Sequence, residues 1–78
     1  MPTALFIVCG QNGTRLMKTS LDARQVTPKL LSSLFKLVQE TICLILVSKD
    51  GMMIGQEGGS FEKSLDNGEE YEVIGDTI

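Results

Sequence analysis

Thr27-Pro28 opens the one stretch of this 78-residue chain whose apolar residues recur at helical spacing. A threonine hydroxyl can accept from an orphan N–H of the first turn, and proline at the first helical position lacks only a donor that would go unused. From there Leu30, Leu31, Leu34, Phe35, Leu37, Val38 and Ile42 fall on one side, while Lys29, Ser32, Ser33, Lys36, Gln39 and Glu40 fall on the other. That pattern predicts an amphipathic helix of about 13 to 15 residues. No glycine marks where it stops. One helix cannot bury its own apolar stripe, so the rest of the chain must supply the facing layer.

The remaining segments read as strands and turns. ALFIVCG (4–10) is short, β-branched and closed by glycine, and Asn12-Gly13 after it is a strong hairpin signal. RLMKTSLD (15–22) alternates, with Met17, Thr19 and Leu21 on one face and Leu16, Lys18 and Ser20 on the other. CLILVSKDGMMIGQ (43–56) reads as a second hairpin turning at Lys49-Asp50-Gly51, followed by a loop at Gly58-Gly59. SFEKSL (60–65) predicts a short helical turn, and DNG at 66–68 another turn. In the last segment Tyr71 and Val73 alternate with Glu70, Glu72 and Ile74, one set for a core and one for water or a partner.

The predicted order is β-β-α-β-β, a short helical turn, then a closing β: a two-layer α+β domain with one helix on a mixed sheet, spanning 1–78 as a single unit. Length and order resemble the ubiquitin-like β-grasp, in which the closing strand lies between the first and third strands. The expected core sets Leu30, Leu34, Phe35, Leu37 and Val38 against Met17, Ile45, Val47, Tyr71, Val73 and alternate residues of 4–9. Gly13 and Gly68 are expected at positive φ.

Little in the chain points to catalysis. With no histidine, Ser-His and Cys-His pairs are ruled out, and so are most zinc sites. Cys9 and Cys43 form no CxxC pair and read as buried free thiols of a reducing compartment. GQNGT and GQEGG lack the lysine and hydroxyl residue of a phosphate loop, and no EF-hand spacing occurs. No cofactor and no metal are expected. Phe6, Phe35, Phe61 and Tyr71 read as core residues rather than stacking platforms, so nucleic acid is not an expected partner. The apolar run TICLILV (41–47) falls well short of the roughly 20 residues of a membrane span. MPTALFIVCG shows no basic leader, so no secretory signal is expected and a cytoplasmic setting is.

Charge is distributed unevenly. Residues 1–39 carry Arg15, Lys18, Arg24, Lys29 and Lys36 against Asp22 alone, a net of +4, and residues 40–78 carry −7, giving −3 in all. Clustered charge of one sign steers association. Two candidate partner-binding faces follow. The basic one is Arg15, Lys18, Arg24, Lys29 and Lys36; the acidic one is Asp66, Glu69, Glu70 and Glu72.

Two β-grasp families carry matching residues. LVSKDGMMI (46–54) is similar to the L-Y-T-x-D-G-x-x-V hairpin of doublecortin domains, with Val47 in place of the usual aromatic. LDNGEEYEVIG (65–75) resembles their closing L-x-D-G-x-x-Y-V-x-x-G segment, with Leu65, Gly68, Tyr71 and Gly75 in register. This resemblance implies a non-enzymatic module that binds tubulin, microtubules or another cytoskeletal or signalling partner. A microtubule role requires the five basic residues to gather on one surface. RQVTPKLLSSLF (24–35) resembles the R-G-V-T-x-x-x-L-x-x-L-L stretch of CIDE-N domains, and FEKSLDN (61–67) their F-x-x-L-x-D-N segment. That resemblance implies head-to-tail self-association through opposed basic and acidic faces.

Overall fold

The computed structural model describes residues 2–9 and 16–78, the side chains of Cys9 and Leu16 aside. Within them a five-stranded mixed sheet is covered on one face by a single helix, an α+β arrangement compatible with a β-grasp. Strands β1 (Ala4–Cys9) and β2 (Leu16–Leu21) pair antiparallel, as expected of the first hairpin. Its Asn12-Gly13 turn lies outside the described residues. Helix α1 is Pro28–Phe35, then come β3 (Cys43–Leu46), β4 (Met52–Ile54), the two-residue strands β5 (Gln56–Glu57) and β6 (Ser60–Phe61), and β7 (Glu70–Ile74). The sheet order is β2-β1-β7-β3-β4, with β7 parallel to β1 and antiparallel to β3. The closing strand is therefore central, as the β-grasp pattern predicts.

The helix begins where the sequence places it. Thr27 is extended, its hydroxyl accepts from the Leu30 N–H at 3.1 Å, and Pro28 takes the first helical position. It ends far sooner than predicted, after eight residues. Lys36 adopts a left-handed conformation at φ 57°, and the Leu37 N–H reaches back to the Ser32 carbonyl at 3.1 Å. That six-residue closure terminates helices, usually with glycine at the left-handed position. Here Ser32 Oγ also donates to the Leu37 carbonyl at 2.6 Å, and the Ile78 N–H and Val38 N–H bond to the Lys36 and Asp76 carbonyls. Pairing with the last residues of the chain outweighs the helical preference of Lys36 to Glu40.

The short helix also turns a different face inward. Pro28, Leu31 and Phe35 are buried, whereas Leu30 is exposed and Leu34 is 43% exposed. The expected placement of Leu30 and Leu34 in the core is thus overturned. Leu37 does reach the core, from the turn after the helix, and Val38 is half-buried there.

On the sheet, Phe6, Val8, Tyr71 and Val73 face the helix, with the Phe6 and Tyr71 rings stacked at 5.4 Å. From β3 the inward residues are Leu44 and Leu46, not Ile45 and Val47 as expected. Ile45 faces the opposite side and Val47 sits exposed in the hairpin turn. Met17 pairs with Val8 and so shares the inner face, but on the edge strand β2 it stays exposed. The expected helical turn at 60–65 does not form. Ser60–Phe61 is strand β6, the second arm of a tight hairpin from β5 through Gly58 and Gly59 at φ 60° and 83°, and 62–65 continues through a bend without helix. Two successive positive φ values make the turn that suits a two-residue hairpin loop.

The Asp66-Asn67-Gly68 turn is tied down on three sides. The Asp66 N–H donates to the Tyr71 hydroxyl at 2.8 Å, Asn67 Oδ1 accepts from the Ala23 N–H at 2.8 Å, and the Gly68 N–H donates to the Thr3 carbonyl at 2.9 Å. Gly68 sits at φ 90°, as predicted, and no atom lies within 4 Å of where a Cβ would stand. Gly68→Ala therefore carries backbone strain without a clash, an expected cost of about 1–2 kcal/mol. A lower urea midpoint with an unchanged m value checks it.

Candidate interaction surface

The side of the sheet away from the helix has no covering element among the described residues. Residues directly opposite on paired strands point to the same face. The register therefore places Lys18 beside Ile7, Ile7 beside Glu72, Glu72 beside Ile45 and Ile45 beside Met53 in one row. Leu5 stands beside Ser20 and Glu70, and Cys43 beside Ile74, on the same outer face. Leu5, Ile7, Cys43 and Ile45 are half-buried by their neighbours, Ile74 is exposed and Met53 is 63% exposed. This surface is largely apolar, with two glutamates along its central strand and one lysine at its β2 edge.

Charge reading alone missed the apolar members of this face. A signal for them was present, since ALFIVC and CLIL are apolar at nearly every position rather than at alternate ones. Strands of that kind are those buried on both faces. Here one of the two faces is open.

The basic candidates divide between the two sides of the sheet. Lys18 projects from the outer face, while Lys29 stands in the first turn of the helix and Lys36 just past its end, both exposed. Arg15 lies outside the described residues. Arg24, in the turn that leads into the helix, is held by Asp22 at 3.2 Å. The Arg24 guanidinium, then its backbone N–H, then Asn67 Nδ2 lower the Asp22 carboxyl to about 2. Its ionised form is stabilised by folding. That contribution is full above the ordinary carboxylate range and disappears as pH falls through about 2. In a carbon-detected titration Asp22 should show a midpoint near 2, moving partway back up in Arg24→Ala because the backbone N–H and Asn67 still donate.

The acidic candidates are nearer one another in the fold. Glu70 and Glu72 project from β7 to the outer face, and Asp66 and Glu69 lie in the segment that enters it. Glu69 accepts from the Ser48 hydroxyl in the β3–β4 turn. Glu70 is exposed and Glu72 half-buried.

No arrangement for bond chemistry emerges among the described residues. A cleft of about 440 Å³ lies between Val26-Thr27 and the segment 60–65. Its serines, Ser60 and Ser64, have no histidine anywhere in the chain to act as base. No group of three or more histidine, cysteine or acidic residues is placed to hold a metal ion among the described residues. Cys43 is a free thiol, only partly buried, and Cys9's side chain lies outside the described set. No described helix is long and apolar enough to cross a membrane.

No family model matches this sequence, and neither curated proteins nor solved structures show a match to it.

Proposed function

We propose that this chain is a non-enzymatic protein-interaction module, a ubiquitin-like β-grasp of the homotypic kind, associating head to tail through opposed faces. The carrying observation is the uncovered outer sheet face, apolar on β1 and β3 and acidic along β7. A contiguous exposed apolar patch marks an interaction site. The helix on the opposite side of the sheet contains a lysine and no acidic residue, with a second lysine at its end. Opposite charges on opposite sides favour a partner that presents the same pair of faces in the same order. Such contacts do not close, so association grows with concentration.

The doublecortin-like alternative, microtubule binding, draws its support from Arg24, Lys29 and Lys36. It is weakened by Lys18, which faces the other way, and by Asp22, which offsets Arg24. Light scattering at low and high salt, alongside co-sedimentation with polymerised tubulin, separates the two. Self-association predicts a mass that rises with concentration at low salt and falls as salt screens charges over about 8–10 Å. A chain that stays monomeric and pellets with microtubules would support the alternative instead.

A further inference from the structure

Resting on that self-association, we infer that the helix of one copy lies on the outer sheet face of the next, with Leu30 and Leu34 as its apolar anchors. Leu30 and Leu34 are four residues apart and so adjacent along the helix, and both are exposed. The receiving face exposes Met53 and Ile74 with Ile45 between their strands. Each set is apolar surface that the isolated chain leaves in water.

Charge fixes which half of the sheet is used. Lys29 and Lys36 bracket the two leucines along the chain, and no acidic residue occurs in PKLLSSLF. On the outer face Glu70 and Glu72 run along the central strand β7. On one side of it lie β3 and then β4; on the other lie β1 and then β2, which carries Lys18 at the far edge. The helix therefore settles over β7, β3 and β4, its lysines toward the glutamates and away from Lys18. Size permits it: five strands about 4.8 Å apart form a face roughly 19 Å across, against a helix about 10 Å wide. Helix and receiving face lie on opposite sides of the same sheet, so no copy satisfies its own contact. Each junction adds a helix layer over an open sheet, the arrangement that already covers the inner face. A helix of eight residues makes a small junction, so single contacts are weak and reversible.

Neutral substitutions isolate this apolar contact from the charges. Leu34→Gln and Met53→Gln both change exposed side chains and are expected to leave thermal unfolding nearly unchanged. In sedimentation velocity at low salt, each variant alone should self-associate about fivefold or more weakly than the wild type. Mixed in equal amounts they should form pairs, because the intact helix of one meets the intact sheet face of the other. Wild-type association by Leu34→Gln overturns the helix as occupant and leaves self-association standing. A wild type that stays monomeric at every concentration overturns both. Loss of association by Leu34→Gln without recovery on mixing overturns the sheet face as its receptor.

Discussion

Phe6→Ala is expected to unfold most of the population at a urea concentration where the wild type is still native. Phe6 is wholly buried at the centre of β1, its ring stacked on Tyr71 with the planes 17° apart. Truncating a buried phenylalanine costs about 3–5 kcal/mol, part lost transfer and part the cavity left behind. Stability of about 0.05–0.15 kcal/mol per residue makes that about a quarter or more of what a chain this size possesses. The strands it joins are the parallel pair at the middle of the sheet, where a cavity has no flexible edge to collapse into. Tyr71→Phe is the graded comparison. It keeps the ring and removes only the acceptor of the Asp66 N–H, so a loss of about 1–3 kcal/mol is expected. A Phe6→Ala midpoint close to that of Tyr71→Phe would show that the stacked pair is not the centre of the core.

Leu31→Ala and Leu34→Ala should differ sharply although they lie in the same helix. Leu31 has no exposed surface, and its truncation is expected to cost about 2–5 kcal/mol. Leu34 is 43% exposed, and alanine is the better helix former there, so the expected change is under about 1 kcal/mol. Paired urea curves decide between the two faces. Equal losses would restore the wider apolar stripe implied by periodicity. A larger loss for Leu34 would mean the helix is rotated about its axis.

The contrast shows what was legible in the residues and what was not. Thr27-Pro28, Asp50-Gly51, Gly68 and the alternation of Tyr71 and Val73 act through neighbours in the chain, and each is found where its local chemistry puts it. The end of the helix is decided from afar, by Asp76 and Ile78 pairing with Val38 and Lys36, and Lys36 carries no sign of a left-handed turn. In CLIL every residue is apolar, so nothing local says which parity faces inward, and a one-residue shift moves Ile45 from core to surface. The surface divides likewise. Clustering of acids along β7 is visible in its sequence, but the separation of Lys18 from Lys29 and Lys36 depends on which side of the sheet the helix covers. Arg24 looks like a free cation until Asp22, two positions away, is seen to hold it.

Self-association through opposed faces is tested most directly by complementation between single-face charge variants in sedimentation velocity. One variant carries Lys29→Glu and Lys36→Glu; the other carries Glu70→Lys and Glu72→Lys. All four residues are at least partly accessible to solvent, so both proteins should fold. The wild type should form species larger than a dimer at low salt, and each variant alone should remain monomeric. Their equimolar mixture should stop at two copies, since one good junction forms between two spoiled ends. A wild type that sediments as a monomer at millimolar concentration and low salt would contradict the account and leave the acids of β7 as a solvated face.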